Sequence, residues 1–147
     1  MTVKLVLVAA ALAVASPALA QKAEVYSPWL GAAIRGTDPV AYFTEGRPVE
    51  GSRKFTHEWK GATWRFASAA NRDAFAAAPE KYAPQYGGYC AYGVANGYTV
   101  STVPEAWSIV EGKLYLNYSL GVRADWLKDV PGYVRKADGN WPKALER

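Results

Sequence analysis

The 147-residue chain has one histidine, one cysteine and one methionine. That scarcity excludes a haem held by two protein ligands, a four-cysteine zinc site and a Met-rich copper centre. It also excludes an internal disulfide, because Cys90 has no second cysteine to meet. No run of five or more like charges occurs, and both signs are interspersed along a chain of formal net charge +4. This is ordinary surface chemistry rather than a nucleic-acid footprint, and no nucleic-acid partner is expected. Long apolar runs are lacking too, apart from Leu5 to Val14, which is shorter than the roughly 20 residues that span a bilayer.

That one run has a processing pattern around it. Lys4 precedes it, Ser16 and Pro17 follow it, and Ala18-Leu19-Ala20 places small residues where a signal peptidase reads them. Residues 1–20 are therefore expected to be a signal peptide cleaved before Gln21. The mature protein is then periplasmic or secreted, has no transmembrane segment, and loses the charge of Lys4. In an oxidising compartment cysteines usually pair, so an unpaired Cys90 reads as a lone thiol, an intermolecular bridge or a ligand.

What the chain does have is core material: 50% hydrophobic residues, with Trp 6, Tyr 10 and Phe 4, at the length of a single domain of about 100–200 residues. The pattern of elements predicts a small α+β domain with two β-hairpins and several short helices packed around them. Residues 21–37 read as an irregular lead-in from which Trp29, Leu30 and Ile34 dock on the core. Residues 38–142 form the domain with its C-terminal helical extension, and 143–147 a tail. Asp38-Pro39 is a helix start for a short turn through Phe43. Phe55–Trp59 and Ala62–Phe66 alternate around Lys60-Gly61, so a two-residue hairpin pairs Trp59 with Ala62, His57 with Trp64 and Phe55 with Phe66. One face of it is aromatic around His57; on the other, Glu58 opposes Thr63.

Ser68 reads as the cap of a helix over Ala69–Ala77 with Ala70, Ala74 and Phe75 on its buried side, and Pro79 opens one more turn to Tyr82. After the Gly87-Gly88 bend, Cys90–Ala95 reads as a short helix closed by Asn96-Gly97. A second hairpin turns at Glu111-Gly112, pairing Ile109 with Leu114 and Trp107 with Leu116. Ser119 caps a helix through Asp129 with Leu120, Ala124 and Leu127 on one side. Pro131-Gly132 then interrupts it before a last helical piece that ends near Trp141.

Asp38-Pro39-Val40, Trp64-Arg65-Phe66-Ala67-Ser68, Asn71-Arg72-Asp73-Ala74-Phe75, Pro79-Glu80-Lys81-Tyr82 and Gly87-Gly88-Tyr89-Cys90-Ala91 together resemble the YHS domain. The resemblance runs from about Ile34 to Trp141, and is to the exported bacterial branch called YHS domain-containing (seleno)proteins. It implies a small α+β fold and, from its cysteine-bearing relatives, a role in metal handling. The positions of those cysteines correspond to Ala41, Ala67 and Asn71, none of which supplies a thiolate. Cys90 is the one position where a selenocysteine could have its counterpart.

The candidate chemistry centres on Cys90. In a first helical turn, a thiol feels the helix dipole and free amides, which favour the thiolate and lower its pKa from about 8.5 by about one unit or more. The same residue also reads as a small buried apolar side chain. His57 is the candidate partner. A Cys90–His57 pair could hold Cu(I), or Zn(II) if Glu58 or Asp38 joined, and His57 equally reads as a structural residue packed on Trp59 or Trp64. A serine hydrolase has no Gly-X-Ser-X-Gly elbow here. Tyr82, Tyr86, Tyr89, Tyr92 and Tyr98 form core or line a pocket. Three readings follow: a binding or accessory protein whose partner is a small ligand, a soft metal ion or a periplasmic protein; a thiol redox enzyme with Cys90 catalytic; and an interaction module without chemistry.

Overall fold

The computed structural model describes residues 9–13, 21–28 and 31–147. The expected signal peptide lies largely outside the described residues, as do Trp29 and Leu30. Among the described residues no helix is long and apolar enough to cross a membrane.

The α+β expectation holds. In chain order the elements are α1 (Pro39–Thr44), β1 (Ser52–Trp59), β2 (Ala62–Phe66), α2 (Ala69–Ala77), α3 (Pro79–Tyr82), α4 (Ala91–Ala95), β3 (Trp107–Val110), β4 (Lys113–Leu116), α5 (Leu120–Trp126) and α6 (Val130–Asn140). The strands form two separate antiparallel hairpins, β1-β2 and β3-β4. Each closes through a two-residue turn with both residues at positive φ: Lys60 at 49° and Gly61 at 71°, Glu111 at 51° and Gly112 at 75°. That is the backbone sign of a type I′ turn, whose twist matches the flanking strands.

In the second hairpin the expected register is present, with Ile109 opposite Leu114 and Trp107 opposite Leu116. The first hairpin follows expectation from the turn as far as Thr56 opposite Arg65 and then departs from it. An irregularity between Ser52 and Thr56 sets Ser52, not Phe55, opposite Phe66. The strands crowd there, because a side chain on Gly51 would run into the Arg65 backbone. A bulge bends β1 and leaves its extra residues unpaired.

Two buried clusters make the core. The first joins Val25, Ile34, Val40, Tyr42, Trp64, Phe66 and Phe75 with Leu114 and Leu116. The second joins Tyr86, Tyr89, Ala91, Val94, Trp126, Ala137 and Leu145 with Tyr115. Strand β4 therefore gives alternate residues to each cluster, the period-2 signature of a strand buried on both faces.

Other expectations shift at their edges. The lead-in is packed: Val25 and Ile34 are buried, and the Tyr26 N–H donates to the Gly87 carbonyl at 2.8 Å. The tail is packed as well. It forms a 3-10 turn over Lys143–Glu146, and Ala144 and Leu145 belong to the second cluster. In α2, Phe75 is the buried residue, while Ala70 is exposed and Ala74 half-buried. Leu120 in α5 is 62% exposed and Leu127, just after it, 45%; the indole of Trp126 is the side chain that enters the core. Pro131 does not interrupt a helix. It sits in the first turn of α6, which starts at a new cap, Asp129, bonded through its side chain to the Gly132 N–H.

Candidate functional site

The chain reaches Cys90 through a bend that few residues could make. Tyr86, Gly87 and Gly88 all have positive φ, at 58°, 62° and 85°. A side chain at Gly87 would collide with the Glu24 backbone, and one at Gly88 with Ile34. The Thr102 hydroxyl donates to the Gly88 carbonyl at 2.7 Å, and the Cys90 N–H to the Val100 carbonyl at 3.2 Å. These bonds tie the bend to the segment before β3.

Cys90 is the cap residue preceding α4 rather than a member of its first turn. Its side chain makes no capping bond; that role passes to Asn117, just after β4, whose Oδ1 accepts the Tyr92 N–H at 3.1 Å. The same oxygen lies 3.5 Å from Cys90 Sγ and accepts its S–H, while the Tyr118 N–H donates to the sulfur at 3.3 Å. Asn117 is fully buried, and its Nδ2 has no hydrogen-bond partner among the described residues.

The thiol is 1% exposed. Burial pushes it above the ordinary thiol range. The amides of Gly93, Tyr118 and Tyr92 pull in the opposite direction without overcoming burial. The expected depressed pKa is thus reversed, since removing a thiolate from water costs more than three amide dipoles return. Cys90 nonetheless lines a recess of about 240 Å³, together with Tyr92, Tyr98, Tyr118, Val100 and Val122 over Gly93. Of the five tyrosines around the Gly-Gly bend, Tyr92 and Tyr98 line this recess, and Tyr89 is buried in the second cluster.

His57 lies elsewhere. It stands half-buried on the aromatic face of β1, its ring 6.1 Å from Phe75, which also packs on Trp59, Trp64 and Phe66. The Cys90 sulfur makes its hydrogen bonds with Asn117 and Tyr118, and none with the candidate partner His57, among the described residues. Glu58 faces Thr63 across the hairpin. Among the described residues no group of three His, Cys, Asp or Glu side chains is placed to hold a metal ion.

Asp38 is the other conspicuous polar residue, fully buried and saturated. Its Oδ1 accepts the N–H groups of Val40 at 2.9 Å and Ala41 at 3.3 Å; its Oδ2 accepts the Ala67 N–H at 2.9 Å and Asn71 Nδ2 at 2.8 Å. Ala41, Ala67 and Asn71, the positions that the resemblance sets against the cysteines of its metal-handling relatives, converge on this one carboxylate. Here that place holds a hydrogen-bonded node without a thiolate, and a metal centre of the cysteine type does not fit it.

The functional residue that sequence reasoning missed is Asn117. It lies 27 positions from Cys90, and no local motif marks it.

The family model for the YHS domain matches residues 40–86, from α1 to Tyr86 at the bend. The matched segment contains Ala41, Ala67, Asn71 and His57, and it ends before Cys90. No curated protein and no solved structure matches the chain.

Proposed function

The chain carries a YHS domain, and from that premise we propose that it is an exported binding or accessory protein whose working part is the recess at Cys90. The observation that carries this reading is the pairing of an open, aromatic-walled recess with a single thiol held at its edge by Asn117 and the Tyr118 amide. Such a recess takes a small, largely apolar ligand, with the sulfur as its one chemically distinctive contact. The raised thiol pKa favours binding over redox catalysis: a protonated sulfur is a poor attacking group at neutral pH.

A soft ion such as Cu(I) held as cargo is the second reading. It is favoured by the sulfur itself, the softest donor the chain owns, and it does not involve His57. Zn(II) is less suited, since it takes four ligands and the recess offers one thiol.

The test is alkylation of Cys90 in the folded protein, read by mass. At about pH 8.5, where more of the thiol ionises, a small uncharged maleimide is expected to modify it, more slowly than a free thiol, and a charged reagent of similar size to react far more slowly still. Equal protection from both until the protein unfolds would overturn the assignment. Cu(I) titration of the native chain and Cys90→Ser separates the two cargoes: one equivalent lost with the sulfur marks the metal reading.

A further inference from the structure

A second and larger cavity, of about 460 Å³, lies among the lead-in, the first hairpin, α3 and the end of α6, and it shares no lining residue with the Cys90 recess. Its volume is within the usual range for small-molecule sites, about 300–1,000 Å³. Four aromatic side chains line it in two contacting pairs. Trp59 and Trp64 have ring centres 5.9 Å apart, and Tyr86 and Trp141 6.0 Å apart.

The charges are unevenly distributed. Glu24, Glu80 and Asp138 line the cavity with one cation, Lys60. Lys60 is already committed, its Nζ 2.9 Å from Glu24 Oε1 and 4.8 Å from the centre of the Trp59 ring. Glu80 and Asp138 have no ion-pair partner among the described residues. A chain of net charge +4 thus keeps two carboxylates without an ion pair beside four aromatic side chains, of which Trp59 and Trp141 are half-buried and Trp64 and Tyr86 buried.

We propose that this cavity binds a small organic cation, an amine or quaternary ammonium group, between the aromatic faces and the carboxylates of Glu80 and Asp138. Ring faces carry the negative end of the aromatic quadrupole, and tryptophan is the strongest of them. Lys60 over Trp59 is the same interaction made by the protein's own side chain. The wall is held in advance. The Tyr86 hydroxyl donates to Asp138 Oδ1 at 2.8 Å, and the Tyr86 backbone is fixed in the left-handed region by the bend. Burial, followed by that hydrogen bond to Asp138, holds the phenol well above its ordinary range, so it stays a donor. A neutral sugar would use the same rings but would leave the negative charge uncompensated.

The experiment is a titration of the full chain with choline, with its uncharged isostere in which carbon replaces nitrogen, and with glucose, read by tryptophan fluorescence and calorimetry. Choline is expected to bind saturably and at least about tenfold more tightly than the isostere. Glu80→Gln combined with Asp138→Asn should weaken choline about tenfold, and Cys90→Ser should leave it unchanged. Glu80→Gln alone guards against misfolding, because that exposed side chain makes no hydrogen bond among the described residues; it should give a smaller loss of the same sign. Absence of saturable choline binding, equal binding of the isostere, tighter binding of glucose, or indifference to both carboxylate variants would each overturn the proposal. Its failure leaves the Cys90 reading standing, since the recess shares no residue with this cavity.

Discussion

Two side chains, Asp38 and Cys90, carry most of the account, and they differ in how their polar atoms are satisfied. Asp38 accepts four hydrogen bonds and joins α1 to the end of β2 and the start of α2. Asp38→Ala is expected to cost about 3–5 kcal/mol in urea unfolding, from the lost cap and the buried donors it strands. Cys90 is held in its protonated form. Its folded pKa lies above the unfolded value of about 8.5. The resulting stability is complete below that value and is lost as pH rises through the folded pKa. The native chain should therefore lose more stability than Cys90→Ala from about pH 8.5 upward, with parallel curves below it, as urea midpoints across pH would show. The capping roles of Asp38, Ser68 and Ser119 were legible because a cap is a local pattern. The bonds from Asp38 to Ala67 and Asn71, and from Asn117 to Cys90, span about thirty residues and leave no local trace.

Both hairpin turns were legible, because a residue-glycine pair between alternating segments has few other uses. The bulge in β1 was not, since it answers the close approach of Gly51 to Arg65 across the sheet. Leu120, Ala124 and Leu127 share a helical spacing along α5 and the turn that follows it, yet packing against Tyr115 is satisfied by Trp126 and that face turns outward. The turn at Glu111-Gly112 offers a clean test of local strain. A side chain at Gly112 would touch nothing within 4 Å, but φ there is 75°. Gly112→Ala should cost about 1–2 kcal/mol, and Glu111→Asn should gain a few tenths, both read as shifts in Tm. At the recess, Val122→Phe on α5 should slow maleimide labelling of Cys90 at least about tenfold, as a side chain filling part of the wall would.

At the scale of the whole molecule, the YHS segment at 40–86 supplies the first cluster with its hairpin, α1 and α2, and the Cys90 recess stands beyond it, on α4 and the residues after β4. The parts are locked by the lead-in and the tail. Lys22 donates from its backbone to Leu145, Tyr26 to Gly87, and the Tyr89 hydroxyl to the Ala23 carbonyl. Leu145→Ala is thus expected to cost about 2–3 kcal/mol while tryptophan fluorescence and circular dichroism still report one coincident transition, because β4 is common to both clusters. The central claim is that a ligand occupies the recess beside the Cys90 sulfur. Native mass spectrometry of the protein isolated from its own compartment, with metal analysis of the same sample, tests it most directly. A single added mass or ion that is absent from Cys90→Ser and Val122→Phe is the predicted result. A bare polypeptide mass without metal, in a protein whose folded thiol also resists the maleimide, would contradict it.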